Sequence, residues 1–93
     1  STEGKKMDNT ISGMTAVLVK AIAALTGIEE SKVDRDASFM AMEIDSLDAM
    51  KLFNDLQKAT GARINPIIMF ECHTINDLVA YVNDNVLLPS HAS

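Results

Sequence analysis

A serine at the start of a patterned helix is the residue of this chain best placed to do chemistry. Ser46 follows a long polar connection and opens an amphipathic segment. A hydroxyl at a helix start can cap the helix by accepting a backbone N–H. It can also carry a phosphate-bearing group, because the first amides of a helix are unpaired and the helix dipole is positive there. Position alone favours the cap.

Other chemistry-bearing residues give weaker patterns. The two histidines, His73 and His91, fall in no arrangement that would activate Ser46 as a nucleophile, and His91 lies in the tail. The adjacent pair of Cys72 and His73 has no second pair to complete a metal site, so a buried or half-buried cysteine is predicted.

A calcium loop is a second alternative to weigh. Asp34, Asp36 and Asp45 imitate the ligand spacing of an EF-hand. The sixth place of that loop needs a glycine for its turn and holds Phe39, and the twelfth place holds Asp where Glu is usual. Calcium binding is therefore disfavoured.

The bulk composition narrows the class of protein. The chain has 93 residues, 47% of them apolar, which is enough for one folded domain. Its net charge of −5 argues against nucleic acid and against adsorption to anionic membranes. No segment is long and apolar enough to cross a bilayer, and one cysteine rules out a disulfide scaffold. A cytoplasmic protein, monomeric as an isolated domain, is expected.

Hydrophobic periodicity predicts three substantial helices and one short helix. The long helices span about Thr10–Thr26, Ser46–Thr60 and Thr74 to Asn85 or Val86, and a short one opens at Pro66. Residues 28–45 form a long connection pinned by Ile28, Val33 and Phe39. Residues 1–9 and 88–93 are expected to be a flexible lead and tail around a domain of residues 10–87. The residues expected to face the core are Ile11, Met14, Leu18, Ala21, Ile22 and Leu25, then Leu47, Met50, Leu52, Phe53, Leu56 and Ala59, then Ile67, Ile68, Met69 and Phe70, and last Ile75, Leu78, Val79, Val82 and Val86.

The segment before the second long helix resembles a known modification loop. The pattern Ser38-Phe39-x-x-Met42-x-x-Asp45-Ser46-Leu47 is similar to that of acyl carrier proteins, and the order of features matches that family over about residues 10–87. The later half, with Ala59 to Ile64 and Met69 to Thr74, is most similar to the acyl carrier domains of polyketide synthases. The resemblance implies an all-α four-helix bundle of the acyl carrier protein type.

The same resemblance implies covalent carriage without catalysis. A 4'-phosphopantetheine arm, taken from coenzyme A by a separate phosphopantetheinyl transferase with Mg2+, would be attached to Ser46, with Asp45 and Leu47 flanking it. The terminal thiol of the arm would hold acyl or polyketide intermediates as thioesters. The ketosynthase, acyltransferase and other synthase domains of polyketide or fatty acid biosynthesis would be the partners.

A partner-binding face is expected around the start of the second helix. Glu43, Asp48 and Asp55 supply negative charge, and Met50 supplies apolar contact, in addition to Leu47, which is expected to serve the core and the partner together. Because a carrier must leave each enzyme after delivery, this contact should be weak and steered by charge.

Three residues depart from the pattern of the family. Glu43 stands three residues before Ser46, where a glycine would permit unusual backbone angles. Lys51 replaces a common carboxylate, so the second helix is not uniformly acidic. His73 replaces a common proline, although Thr74 can still cap the next helix.

A function from another class remains as the alternative. The chain would then be an unmodified helical protein-interaction bundle, with Ser46 serving only as the N-cap of the second helix. Replacing Ser46 by alanine separates the two hypotheses. Loss of a pure cap should lower stability by about 1 kcal/mol. Loss of an attachment site should abolish labelling with little effect on the fold.

Overall fold

The computed structural model of the protein describes residues 10–87, and this part of the chain is all-helical, with no strand among those residues. The predicted lead, residues 1–9, and tail, residues 88–93, lie outside it. The elements in chain order are α1 (Ile11–Thr26), a 3-10 turn (Glu30–Lys32), α2 (Ser46–Thr60), a second 3-10 turn (Pro66–Phe70), α3 (Ile75–Val82) and a π-helical turn (Asn83–Leu87). The all-helical fold is thus confirmed, and the predicted short helix is a 3-10 turn.

The helix ends follow their capping residues. Thr10 Oγ1 accepts from the Gly13 amide at 2.9 Å at the start of α1, and Thr74 Oγ1 accepts from the Asp77 amide at 3.0 Å at the start of α3. Helix α2 ends at Gly61, whose φ of +73° is the left-handed conformation that glycine adopts without strain. The bounds of α1 and α2 match the prediction within one residue, whereas α3 is shorter because its last turn is π-helical.

Helix α1 lies at the centre of the bundle and packs against both α2 and α3. The core is mostly aliphatic, because the chain has three Phe, one Tyr and no Trp, and two of the three Phe, Phe39 and Phe53, lie in it. Fully buried side chains come from all three helices: Met14, Leu18, Ile22, Leu52, Leu56, Ile75, Leu78, Val79 and Val82. The predicted inward stripe of α1 is wrong only at its first member, since Ile11 lies at the exposed N-terminal turn.

The buried face of α2 is rotated from the predicted one. Its core members are Ala49, Leu52, Phe53, Leu56 and Thr60. Leu47 is 81% exposed and Met50 is 49% exposed, so assigning them to the core was wrong. A spacing of three residues drifts by about 60° per step around a helix that turns about 100° per residue. A run of such spacings therefore cannot stay on one face.

The 3-10 turn exposes more apolar surface than predicted. Ile68 is buried, but Ile67 is exposed and Phe70 is 76% exposed. In a 3-10 helix the side chains three residues apart eclipse one another. Ile67 and Phe70 therefore share one edge, and burying Ile68 turns that edge to solvent.

The long connection, residues 28–45, is held down at several points. Val33 and Phe39 are buried as predicted, while Ile28 is exposed and the unpredicted Ile44 is buried. Its backbone is bonded to the segment that begins α3: the Phe39 amide donates to the His73 carbonyl at 2.8 Å. A side-chain hydrogen bond joins the same two segments: Asn76 Nδ2 donates to Asp36 Oδ1 at 2.7 Å. The connection is thus a packed part of the fold that leads the chain to Ser46.

Candidate functional site

Ser46 is the first residue of α2, and the residue before it caps the helix. Asp45 Oδ1 accepts a hydrogen bond from the Asp48 amide at 2.9 Å. The Asp45 carbonyl accepts one from the Ala49 amide at 2.9 Å. The Ser46 side chain is exposed, and its hydroxyl has no hydrogen-bond partner within residues 10–87. The hypothesis that Ser46 is the N-cap is therefore wrong, because Asp45 has that role.

The backbone around Ser46 suits an anionic group. The first four amides of a helix have no intrahelical acceptor. The amide of Asp48 bonds to the Asp45 carboxylate, and that of Ala49 makes the first ordinary helical bond, to the Asp45 carbonyl. The amides of Ser46 and Leu47 have no acceptor in the described part of the chain. Two free N–H donors at the positive end of α2 fit a phosphodiester carried on the Ser46 hydroxyl.

A tight turn delivers the chain to this helix start. Within it, the Ala41 amide donates to Ser38 Oγ at 3.0 Å, and the Glu43 amide donates to the Met40 carbonyl at 3.0 Å. Glu43 has a φ of +60°, the single positive value found for a non-glycine among residues 10–87. This is the position where the acyl carrier pattern has glycine. The turn therefore adopts the backbone that glycine favours, with a side chain that strains it.

The acidic residues of the predicted partner face separate into two places. Glu43 and Asp48 line one shallow groove, together with Met42 and residues from the end of α1. Asp55 lies on another groove beside three lysines, where its Oδ2 is 3.3 Å from Lys51 Nζ. The structure thus brings Glu43 and Asp48 together near Ser46 but pairs Asp55 with a cation.

The exposed apolar residues of α2 near Ser46 are Leu47 and Met50. Both were predicted to contribute to partner contact as well as to the core. Their exposure leaves them available on the outer side of α2. Large apolar side chains that stay exposed next to a functional position are typical of contact surfaces.

A groove of about 400 Å³ opens beside Ser46, and half of its lining residues belong to the modification pattern recognised in the sequence. Of the others, Phe70 was predicted to be buried, and His73 was considered as a base or a metal ligand, both disfavoured, and as a departure from the family. Met40 was not assigned a site. The 3-10 geometry of Pro66–Phe70 places Phe70 on the exposed edge, and the sequence pattern does not distinguish this turn from an α-helical one. The groove is lined by Ser38, Phe39, Met40, Ile44, Asp45, Ser46, Phe70 and His73.

Cys72 is buried next to this region, as predicted. Burial raises the pKa of its thiol above the ordinary value of 9.0, and the negative charges of Asp77 and Glu71 raise it further. A thiol held in its protonated form is a poor nucleophile and a poor metal ligand.

Neither metal alternative gains support from the geometry. Within residues 10–87, no group of three or more His, Cys, Asp or Glu side chains is positioned to hold a metal ion. The carboxylates of the calcium-like loop take part in local hydrogen bonds: Asp34 Oδ1 accepts from the Asp36 amide at 2.9 Å, and Asp36 binds Asn76. No helix formed by the described residues is long and apolar enough to cross a membrane.

Comparison with known proteins gives the family. Residues 16–82 match the family described as "Phosphopantetheine attachment site". The chain is 31% identical over 77 residues to the non-reducing polyketide synthase nscA of Aspergillus fumigatus, covering 83% of this chain and 4% of that protein. It is 27% identical over 74 residues to the non-reducing polyketide synthase adaA of Aspergillus niger, again covering 80% of this chain and 4% of the relative. The chain thus spans a small part of the length of these relatives.

Solved structures agree on the fold. A free-standing peptidyl carrier protein from Acinetobacter baumannii superposes with a TM-score of 0.70 at 24% identity, covering 91% of this chain and 99% of the other. The HMG-ACPI domain of the CurA module from Lyngbya majuscula gives 0.71 at 19% identity, covering 91% and 84%. The match over residues 16–82 shows that this chain belongs to the phosphopantetheine-attachment family, as a non-catalytic carrier domain similar to those of polyketide synthases.

Proposed function

We propose that the protein carries acyl or polyketide intermediates as thioesters on a 4'-phosphopantetheine arm attached to Ser46. The family supplies the covalent arm, and the position of Ser46 supports this residue as its attachment point. The observation that carries the proposal is the division of labour at the start of α2. Asp45 caps the helix, which leaves the Ser46 hydroxyl exposed and unbonded beside two free amides.

The loading step needs chemistry that this chain does not provide. Ser46 Oγ would attack the phosphorus of coenzyme A that bears the pantetheine. The new P–O bond replaces the bond of the pyrophosphate link, and adenosine 3',5'-bisphosphate leaves. The hydroxyl proton goes to a base of the phosphopantetheinyl transferase, which also holds Mg2+. This domain contributes an accessible hydroxyl, held at a fixed place on a helix, and amide donors for the product phosphodiester.

Polyketide intermediates are the favoured cargo because of the synthases that the chain resembles. We further propose that Glu43 and Asp48, with Leu47 and Met50, form the surface that partner domains contact. These residues combine negative charge with exposed apolar side chains next to Ser46. Asp55 would contribute less, since Lys51 offsets its charge. Partners are then expected to present basic residues around an apolar spot.

Intact mass spectrometry tests the attachment directly. The chain is incubated with coenzyme A, Mg2+ and a broad-specificity phosphopantetheinyl transferase, beside Ser46→Ala. Ser12→Ala is the matched control, because Ser12 is also an exposed serine in the first turn of a helix. We expect wild type and Ser12→Ala to gain one phosphopantetheinyl unit and Ser46→Ala to gain none. A folded wild type that stays unmodified would contradict the proposal, as would loading of Ser46→Ala.

The structure does not favour the alternative function, an unmodified interaction bundle. In that function the Ser46 hydroxyl would serve only as the helix cap, and Asp45 has that role instead.

A further inference from the structure

The groove beside Ser46 is an outer feature of the fold. It lies between the turn that precedes α2 and the 3-10 turn that precedes α3, and its volume is about 400 Å³. That volume is within the range of small-molecule sites. The interior of the bundle, in contrast, holds fully buried side chains such as Leu52, Leu56 and Leu78. Because Ser46 itself lines the groove, a group tethered to Ser46 starts at its edge.

The walls of the groove are apolar and unusually exposed. Phe39 and Ile44 form its buried part, while Met40 is 86% and Phe70 is 76% exposed. Two large apolar side chains on one small groove leave contact surface uncovered, which marks sites for ligands or partners. Both flank the Ser46 hydroxyl, which is proposed above as the attachment point of the arm.

Polar groups lie at the rim and have hydrogen-bonding capacity left. His73 Nε2 is 2.9 Å from the Phe70 carbonyl oxygen. Because a carbonyl only accepts, the imidazole tautomer that makes this bond carries its proton on Nε2, and its Nδ1 is an acceptor. Ser38 Oγ accepts from the Ala41 amide, so its own O–H remains to donate. The rim thus offers one acceptor and one donor.

We propose that this groove holds the pantoyl half of the arm, the half nearest the phosphodiester. This inference rests on attachment of the arm to Ser46. The geminal methyl groups of the pantoyl unit would pack on Phe70 and Met40. Its hydroxyl and amide would bond to His73 Nδ1 and the Ser38 hydroxyl. Ser46 itself lines the groove, so the part of the arm next to the phosphodiester, the pantoyl unit, is tethered at its edge. The tether gives this unit a high effective concentration in the groove.

Nuclear magnetic resonance of the full chain in three states tests this occupant. The states are apo, holo with a free thiol, and holo loaded with a hexanoyl group, each verified by intact mass. We expect the Met40 methyl and Phe70 ring signals to shift from apo to holo, with contacts to the pantoyl methyls. Acylation should add no further shift, because the cargo lies beyond the groove. If intact mass shows that the protein does not load, attachment of the arm to Ser46 is contradicted. If it loads but the Met40 and Phe70 signals do not shift, only the docking of the pantoyl half is contradicted.

Serine substitutions supply the matched comparison. Met40→Ser and Phe70→Ser should reduce the pantoyl contacts to background while the fold, followed by circular dichroism, is kept. Ile67→Ser is the control, since Ile67 is an exposed apolar residue of the same 3-10 turn but does not line the groove. The proposal is overturned if holo and apo spectra coincide at Met40 and Phe70. It is also overturned if shifts require the hexanoyl group, or if Ile67→Ser causes the same loss.

Discussion

The Asp45 carboxylate accepts a hydrogen bond from the Asp48 amide at 2.9 Å, so the acid before Ser46, and not Ser46 itself, caps α2. This relationship separates two tasks at one helix start. The carboxylate satisfies the helix, and the hydroxyl next to it is left for other chemistry.

Removing the cap should lower the stability of the fold, whereas removing the Ser46 hydroxyl should leave it nearly unchanged. Asp45→Ala is expected to lower the free energy of unfolding by about 1 kcal/mol, because the Asp48 amide loses its acceptor. Ser46→Ala should leave stability within about 0.5 kcal/mol of wild type, as expected for an exposed position without a partner. Urea denaturation measures both, with Asp45→Asn as the control that keeps the cap. A larger loss for Ser46→Ala than for Asp45→Ala would contradict this assignment.

Glu43 should be a site where glycine stabilises the fold. Its φ of +60° costs an L-residue roughly 1–2 kcal/mol, part of which glycine recovers despite its greater freedom in the unfolded chain. We expect Glu43→Gly to raise the free energy of unfolding by about 0.5–1 kcal/mol in urea denaturation.

Glu43→Ala separates the backbone from the charge at this position. Alanine removes the carboxylate but keeps the strain, so it should not stabilise. Equal gains from glycine and alanine would show that loss of the negative charge, and not relief of the backbone, is responsible.

The two leucines of α2 should differ sharply in their contribution to stability. Leu52→Ala leaves a cavity in the core and should cost about 2–5 kcal/mol. Leu47→Ala removes a side chain that is 81% exposed and should change stability by less than about 0.5 kcal/mol. Thermal or urea denaturation compares the pair. A cost above about 1 kcal/mol for Leu47→Ala would mean that Leu47 packs in the core after all.

Asp48 should matter more than Asp55 for loading by the transferase. Charge reversal at Asp48 is expected to lower kcat/KM for loading by about tenfold, equivalent to about 1.4 kcal/mol, with an effect that shrinks at high salt. Asp55→Lys is the matched control, because the charge of Asp55 is already offset by Lys51. Equal losses for the two variants would argue against a partner surface centred on Glu43 and Asp48.

Cys72 should react slowly and weaken the fold at alkaline pH. Its pKa is raised above 9.0, chiefly by burial and then by Asp77 and Glu71, so the folded state holds the proton more tightly than the unfolded state. Between those two pKa values the folded state binds more protons, and stability falls as pH rises. Below pH 9 the contribution is fully present.

Two measurements check the behaviour of this thiol. Iodoacetamide labelling at pH 8 should be much slower in the native protein than in urea. Urea midpoints from pH 8 to 10.5 should fall more for wild type than for Cys72→Ala. Fast native labelling, or identical pH profiles for the two proteins, would contradict the prediction.

The sequence was informative wherever local chemistry decides the structure. Helices α1 and α2 begin and end within one residue of the predicted positions, with Thr10 capping the start of α1 and Gly27 and Gly61 taking the left-handed backbone after the two helices. The order of helices and the loop before Ser46 followed from the same signals.

The errors lie where packing decides which side of an element faces inward. Leu47 and Met50 looked like core because they are apolar and evenly spaced, but only docking against α1 fixes the rotation of α2. Phe70 was misplaced for a related reason: periodicity cannot distinguish a 3-10 turn from a buried α-helical turn. The groove beside Ser46 joins segments far apart in the chain, and no local pattern predicts such a meeting.

The bond between the Phe39 amide and the His73 carbonyl also bears on the order of events in the cell. Together with the link from Asp36 to Asn76, 40 residues away, it ties the turn before Ser46 to the entrance of the last helix. Contacts of such long sequence separation form late, and a chain leaving the ribosome cannot make them until its C-terminal part has emerged. Ser46 would then reach its presented geometry only after the domain is complete. The transferase would find a finished helix start only on a finished domain, so nascent or truncated chains would be spared from loading.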